Sequence, residues 1–249
     1  SEMSDAAGTS WFDLEKRCWS EILLKSSGLT LEQMPTLIEG SEVSGFLKSK
    51  FKTKWNISGD VMVVGGAGDN AAAACGCGVM SEGQGFISLG TSGVLLAARK
   101  GCFPSPETAV HTFCHAIPKK WYQMGVILAA TDSLNWISKI SGKTPNQLSN
   151  LLSHEPNGPT QLKFAPYLSG ERTPHNDSIT RGALIGLDVA HDHSDITQAV
   201  FEGVAFALKD SLLALNKTGT KIEHLLAIGG GVQSRFWLKT IANIFNMPL

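Results

Sequence analysis

The chain has 249 residues, a mass of 26.6 kDa and a formal net charge of -1 at neutral pH. Hydrophobic residues make up 43% and charged residues 17% of the sequence, which is typical of a globular protein with a sizeable core. The near-zero charge and the lack of an apolar run near the roughly 20 residues of a membrane-spanning helix exclude nucleic acid and membrane as predicted partners.

The first third of the chain is predicted to consist of short elements. Residues 13–50 carry short helical patterns, which Gly28 interrupts. The apolar residues 61–64 predict a strand. The segment 61–81 consists almost entirely of apolar and small residues, which predicts that it is buried. The alanine-rich residues 70–77 then predict a short helix.

Strand-like segments follow one another closely in the middle of the chain. Tight turns separate them, and this arrangement predicts an antiparallel or mixed sheet. The predicted strands are 84–90, 93–98, 111–117 and 121–126.

Helices and strands alternate in the rest of the chain. The predicted elements are helices over 128–140 and 195–215 and strands over 162–168, 182–187 and 224–231. The longest helix has an apolar residue at every fourth position, with Ser194 as its predicted N-cap. Ser234 is placed to cap a final helix. The order of the elements predicts an α/β fold.

Asp69 is the only side chain charged at neutral pH between Val61 and Ser81. A buried carboxylate without a partner costs several kcal/mol or takes up a proton, so this residue needs an explanation. One interpretation is an N-cap for the following alanine-rich helix, and the other is a functional carboxylate at a cleft. The residues alone favour the cap, and the two roles are compatible.

Two strands end in glycine-rich turns, SLGTSG at 88–93 and IGGGVQS at 228–234. Backbone amides in such turns approach an anion closely, and hydroxyl groups add further donors. Glycines also serve hairpins and caps, and neither turn matches the P-loop or the dinucleotide-binding pattern. Together with the turn at Asp69, they predict a phosphate-bearing ligand between two lobes.

The cysteines and histidines predict neither a disulfide framework nor a metal site. The five cysteines show no CxxC spacing, which favours small, buried, unpaired residues in a reducing cytoplasm. His111, His115, His191 and His193 are interpreted as structural or solvated residues rather than metal ligands.

The sequence resembles the FGGY family of sugar kinases over essentially its whole length, and the xylulokinases within that family. The similar motifs are SDAAGTSWFD (4–13), GGAGDNAAAA (65–74), SLGTSGV (88–94), PYLSGERTPHND (166–177) and IGGGVQSRFW (228–237). This resemblance implies an actin-like ATPase fold with ribonuclease H-like cores and two lobes around a nucleotide cleft. Residues 1–83 would belong to the sugar-binding N-terminal domain, and residues 84–249 to most of the nucleotide-binding C-terminal domain.

The resemblance also implies roles for single residues. Asp69 matches the catalytic base, and Asn70 beside it matches a contact to a sugar hydroxyl. The residues matched to ATP binding are Gly90 and Thr91 at the terminal phosphates, Gly230, Gly231 and Ser234 in the adenosine loop, and Thr131, Asn135 and Trp136 in the nucleotide pocket.

The implied reaction is the ATP-dependent phosphorylation of a sugar hydroxyl with Mg²⁺ as cofactor, with D-xylulose as the best-matched acceptor. Two alternatives stay open: a related kinase for another ketose, an aldonate or a polyol, and a non-catalytic actin-like nucleotide-binding module. The oligomeric state is also open, with a homodimer among the possibilities.

The family's opening aspartate-rich glycine turn and its terminal helical segment have no match in this sequence. We therefore expect the chain to be the central part of an enzyme and to phosphorylate sugar poorly by itself. An ADP-release assay on the isolated 249-residue chain tests this expectation, and robust turnover would contradict it.

Overall fold

A computed structural model describes residues 1–153 and 155–249, and the chain divides into two compact units. The first unit comprises Ser1–Ser81, Ala98–Phe103 and Thr112–Tyr122. The second unit comprises Glu82–Ala97, Pro104–His111 and Gln123–Leu249. None of the helices in the described part of the chain combines the length and the apolar character needed to cross a membrane.

The first unit is built from short elements around a small apolar core. Its helices are α1 (Met3–Ala6), α2 (Glu21–Ser26), α3 (Ser49–Lys54) and α4 (Asp69–Gly76). Its strands are β1 (Phe12–Asp13), β2 (Cys18–Trp19), β3 (Val43–Phe46) and β4 (Met62–Val64). The strands form two antiparallel pairs, β1 with β2 and β3 with β4. The buried core residues are Ala6, Phe12 and Cys114.

The predictions for the first unit are confirmed in part. The strand and the helix on either side of the GGAG turn are present as β4 and α4. The helical prediction for residues 13–50 is wrong at its start, because the chain forms the β1–β2 pair before α2. The predicted burial around Asp69 is also wrong, since every residue of β4 and Asp69 itself are exposed.

The second unit contains most of the larger sheet and the longer helices. The strands from residue 83 onward are β5 (Gly83–Leu89), β6 (Gly93–Arg99), β7 (His111–Cys114), β8 (Trp121–Ile127), β9 (Lys163–Ala165), β10 (Ala183–Ile185) and β11 (Ile222–Ile228). The helices are α5 (Thr131–Ser141), α6 (Pro145–Ser149), α7 (His193–Lys217) and α8 (Arg235–Phe245). Five strands form a mixed sheet in the order β11-β5-β6-β8-β7, and β9 pairs with β10.

Helices α7 and α8 pack together and fix the start of α8. Phe201 of α7 stacks on Trp237 of α8, with ring centroids 4.5 Å apart and an interplanar angle of 4°. The indole Nε1–H of Trp237 donates a hydrogen bond of 3.1 Å to the Phe201 carbonyl. Because Trp237 is completely buried, its polar group is satisfied inside the core and the first turn of α8 is held in place.

The predictions for the second unit are largely confirmed. Each predicted strand and helix is present with shifted ends, whereas the short helix α6 was not predicted. Ser234 is the N-cap of α8, as predicted, and its hydroxyl accepts from the Trp237 amide. The prediction of Ser194 as N-cap of α7 is wrong, because the Asp192 carboxylate caps that helix by accepting from the amides of Ser194 and Asp195.

All five cysteines are unpaired in the structure. The predicted burial holds for Cys114, and burial raises the pKa of its thiol to about 12. It is wrong for Cys18, which is exposed because β2 lies at the surface of the first unit.

His115 is a completely buried histidine of the first unit. Its Nδ1 accepts from the Ile117 amide at 3.1 Å, and its Nε2 lies 2.9 Å from the Val79 carbonyl. This pairing fits the neutral ring with its proton on Nε2. Burial lowers the pKa of His115 below its ordinary value of 6.5, so the folded protein keeps this ring neutral where the unfolded chain binds a proton.

We therefore expect the free energy of unfolding to fall as the pH drops below 6.5, by up to about 1.4 kcal/mol per pH unit. Chemical unfolding above and below this pH, compared between the wild type and His115→Gln, isolates the contribution. His224→Gln, at an exposed position, is the matched control for the replacement of an imidazole by glutamine. Identical pH profiles for the wild type and His115→Gln would contradict the assignment.

Candidate functional site

The turn after β5 is tied to the first turn of α5. The Gly90 carbonyl accepts from the Thr131 amide at 2.9 Å, and the Thr91 carbonyl accepts from the amides of Ala130 and Asp132 at 2.9 and 3.2 Å. Within the described residues, the amides of Gly90, Thr91 and Ser92 form no hydrogen bond of their own. The turn therefore presents unused backbone donors next to a helix N-terminus, an arrangement suited to an anion.

The turn after β11 packs against the end of β5. Gly229 has φ 91° and ψ 176°, a conformation that is essentially restricted to glycine. A Cβ atom on Gly229 would lie 2.8 Å from the Leu89 carbonyl oxygen. Because β11 and β5 are parallel neighbours, both glycine turns lie at the same edge of the sheet, where α/β proteins commonly bind ligands.

A pocket of about 320 Å³ opens beside the second glycine turn. Its volume lies within the range of roughly 300–1,000 Å³ that is usual for small-molecule sites. The pocket brings together five residues that the sequence predicted for ATP binding: Thr131, Asn135, Gly230, Gly231 and Ser234.

Helix α6 supplies a wall of this pocket that the sequence reasoning missed. Pro145, Asn146 and Ser149 line the cavity, and the Ser149 hydroxyl donates to the Ser234 hydroxyl at 2.9 Å. The signal was present in the sequence, because Thr144 and Gln147 form a capping box with proline at the first helical position. Trp237 also lines the cavity and was missed as well.

The Trp136 side chain packs against another aromatic ring of the second unit. Its ring stacks on Phe164, with centroids 5.6 Å apart and an interplanar angle of 19°. The side chain packs against the core of the second unit, and it does not belong to the described lining of the pocket.

Asp69 is the first residue of α4 and is exposed. The N-cap is Gly68, so the prediction that Asp69 caps this helix is wrong by one residue. The Asp69 Oδ1 atom accepts from the Asn70 amide at 2.6 Å and from the Asn70 side-chain Nδ2 at 3.1 Å. Within the described residues Oδ2 accepts no hydrogen bond, so the carboxylate is oriented by Asn70 and presents one oxygen atom to solvent.

Tyr122 is a buried tyrosine of the first unit whose burial no sequence pattern indicated. Burial raises the pKa of its phenol, and the negative charges of Asp69 and Glu2 raise it further. The phenol therefore stays neutral at physiological pH.

Glu171 is a buried carboxylate in the loop that follows β9. Its Oε1 atom accepts from the amides of Leu128 and Arg172 at 2.9 and 2.7 Å, and burial raises its pKa. The same loop is tied down by a contact of 3.1 Å between the Arg172 guanidinium and His111. Glu171 thus anchors the segment between β8 and α5, which carries the amides bound to the first glycine turn.

The described residues provide no dedicated magnesium cage. Within residues 1–153 and 155–249 no group of three His, Cys, Asp or Glu side chains is arranged to hold a metal ion. Mg²⁺ usually binds through a few carboxylates together with water and substrate phosphates, so these residues do not fit a metal site formed by the chain alone.

Ser234 carries two tasks, as cap of α8 and as a wall of the pocket. We expect Ser234→Ala to lower the free energy of unfolding by about 1 kcal/mol, because an N-cap acceptor is lost. Ser149→Ala is the matched control, since it removes the hydrogen bond between the Ser149 and Ser234 hydroxyls and keeps the Ser234 cap. Chemical denaturation measures both variants, and an equal loss in the two would show that the cap contributes nothing.

Two domain models of one known protein family together match most of the chain. Residues 1–76 match the sequence model of the N-terminal domain of the FGGY family of carbohydrate kinases, and residues 85–249 match that of its C-terminal domain. Xylulose kinase from Escherichia coli K12 is 42% identical over 255 aligned residues, which cover 100% of this chain and 51% of that protein. The chain spans about half the length of the curated relatives it matches.

Solved structures of sugar kinases share the fold. A xyloylose kinase from Brucella ovis superposes with a TM-score of 0.97 at 53% identity, over 99% of this chain and 51% of that chain. A gluconate kinase from Lactobacillus acidophilus superposes with a TM-score of 0.89 at 27% identity, also over 99% of this chain and 51% of that chain. The predicted actin-like ATPase fold is thereby confirmed.

Proposed function

We propose, because this chain belongs to the FGGY family of carbohydrate kinases, that the protein containing it transfers the γ-phosphoryl group of ATP to a sugar hydroxyl. The observation that carries the proposal is the pocket of the second unit. It gathers around one cavity five of the eight residues that the family resemblance assigns to ATP. We also propose the boundary between the sugar-binding and the nucleotide-binding domain near residue 83.

The acceptor we propose is D-xylulose, with D-xylulose 5-phosphate as the product. Support comes from relatives named xylulose kinase at 42%, 42% and 39% identity over the whole chain. A second candidate is an aldonate, because the gluconate kinase from Lactobacillus acidophilus has a very similar structure at lower identity.

Phosphoryl transfer needs alignment, stabilisation of charge and a group that accepts the hydroxyl proton. We assign the last role to Asp69. Its Oδ1 atom is held by Asn70, and its Oδ2 atom is available to take the proton as the sugar oxygen attacks the γ-phosphorus. A new O–P bond forms, the bond from the γ-phosphorus to the bridging oxygen breaks, and ADP leaves with that electron pair.

The second unit would hold the nucleotide. The free amides of Gly90, Thr91 and Ser92 suit the terminal phosphates, and the start of α5 adds a favourable dipole. The glycines at 230 and 231 allow close approach to the adenosine, while Ser234 and Asn135 supply polar groups. Mg²⁺ would arrive with ATP, whose phosphates supply oxygen ligands, and it would balance their charge.

A cytoplasmic location and a homodimer stay predictions from the sequence. The unpaired cysteines support a reducing environment. The oligomeric state is open to a direct measurement of mass in solution.

A substrate panel tests the proposed function in the complete protein. ATP-dependent release of ADP is measured with D-xylulose, other pentuloses, gluconate and polyols, and we expect the highest kcat/KM with D-xylulose. A preference for gluconate would favour the second candidate. Nucleotide binding without any sugar-dependent turnover would overturn the proposal in favour of a non-catalytic nucleotide-binding module.

A further inference from the structure

Glu2 and Ser4 form a buried polar cluster at the start of α1, and both are only 5% exposed. The Glu2 Oε1 atom accepts from the Ser4 hydroxyl at 2.6 Å and from the Asp5 amide at 2.6 Å. The Glu2 Oε2 atom accepts from the Ser4 amide at 2.8 Å. Both carboxylate oxygens are therefore engaged by donors inside the first unit.

This cluster reaches across the chain to the residue in front of Asp69. The Gly68 amide donates to the Ser4 hydroxyl at 2.9 Å and to Glu2 Oε1 at 3.1 Å. Gly68 is the N-cap of α4, and its φ of -59° and ψ of 151° set the direction in which Asp69 begins the helix. Fixing this amide consequently fixes the backbone that carries the Asp69 carboxylate.

Helix capping alone does not account for these bonds. A carboxylate that only capped α1 would need the amides of Ser4 and Asp5, which are two and three residues away. The bond from Gly68 joins positions 66 residues apart, and it is bifurcated between two buried acceptors. The additional contact therefore serves the start of α4.

We propose that Glu2 and Ser4 are positioning residues for Asp69, acting through the Gly68 amide. This inference rests on the proposed function, in which Asp69 is the general base. The two hydrogen bonds from the Gly68 amide to Glu2 and Ser4 form a clamp on the start of α4. Loss of this clamp lets the start of α4 move, so the Asp69 carboxylate no longer meets the sugar hydroxyl in the productive geometry. A displacement of about 1 Å can cost on the order of 10²-fold in rate.

The test uses the complete protein and two variants of different severity. Ser4→Ala removes one acceptor of the Gly68 amide with minimal change in volume. Glu2→Gln replaces one carboxylate oxygen by an NH₂ group. This group donates, so it would face the N–H and O–H donors that the carboxylate accepts from. We expect kcat to fall about 10-fold in Ser4→Ala and about 100-fold in Glu2→Gln, with the ADP affinity unchanged because the nucleotide pocket belongs to the second unit.

Two controls separate positioning from general loss of a helix cap. Ser20→Ala removes the hydroxyl cap of α2 in the same unit, and Asp192→Asn removes the carboxylate cap of α7. Both should keep kcat within about two-fold of wild type, because neither helix carries a residue assigned to the reaction. Each variant is also combined with Asp69→Asn. Because Glu2 and Ser4 are proposed to act only through Asp69, their substitution should not lower kcat further in this background.

The outcomes discriminate between the two proposals. Near-normal turnover of Asp69→Asn would defeat the general-base assignment, and the positioning role with it. If Asp69→Asn loses turnover but Ser4→Ala keeps the wild-type kcat, the positioning role alone is overturned, even if Glu2→Gln unfolds. An equal further loss in the Asp69→Asn background would also overturn it, because that result indicates damage independent of the base.

Discussion

Replacement of Asp69 by asparagine in the complete protein is expected to lower kcat for sugar phosphorylation by roughly 10²–10⁴-fold. Asparagine keeps the shape of the side chain and can still accept the hydrogen bonds from Asn70, but it cannot take a proton at physiological pH. The affinity for ADP should not change, since the proposed nucleotide pocket is lined by residues of the second unit. Steady-state kinetics and calorimetric ADP binding measure the two effects separately.

Asp60→Asn is the matched control for this variant. Asp60 is also an exposed aspartate of the first unit, and it forms an ion pair of 2.9 Å with Lys52. Exposed ion pairs contribute about 0–1 kcal/mol, so this variant should keep its turnover. If Asp69→Asn and Asp60→Asn behaved alike, the general base would have to be sought elsewhere.

Replacement of Gly229 by alanine is expected to lower the free energy of unfolding by about 3 kcal/mol or more and to abolish nucleotide binding. The backbone at Gly229 lies in a region that costs other residues roughly 1–3 kcal/mol. The new Cβ would also lie within 3.1 Å of three Leu89 backbone atoms, which cannot move without disturbing β5. Overpacking of this kind adds roughly 1–3 kcal/mol. Chemical denaturation and ADP binding are the measurements.

Two other glycines separate the causes of this effect. Gly219 has a φ of 78°, and a Cβ atom added there would meet no other atom within 4 Å, so Gly219→Ala reports the cost of a positive φ alone. Gly230 lies in the same turn as Gly229 with open space around it. The Gly230→Ala variant should therefore fold normally and lower only the affinity for ADP at the proposed nucleotide pocket. A Gly229→Ala variant as stable as Gly219→Ala would show that the turn tolerates the contact with β5.

The larger elements of the second unit could be predicted because their signals are local. Helix α7 repeats an apolar residue every fourth position, and Val200, Val204 and Leu208 on that stripe are completely buried. Strands such as β5 are short apolar runs bounded by glycine turns. Their ends were less predictable, since at α7 two acidic residues and a serine compete for the cap and Asp192 takes it.

The candidate site could be predicted only where a short motif carried it. The glycine turns and Asp69 were recognised from contiguous residues, whereas the clamp on Gly68 joins Glu2 to a position 66 residues away. The burial of Tyr122 and Glu171 likewise depends on tertiary packing that no local pattern encodes. The exposure of Asp69 was misjudged because composition reports the polarity of a segment and cannot report which faces its neighbours cover.

Ser234 both caps α8 and lines the pocket, which limits the substitutions that design or evolution can introduce at this position. Serine, threonine, aspartate and asparagine are the side chains that cap a helix well. A substitution outside that set would alter the pocket wall and loosen the first turn of α8 at the same time. Attempts to reshape the proposed nucleotide pocket are therefore better directed at Asn135 or Asn146, which line the same cavity without capping a helix.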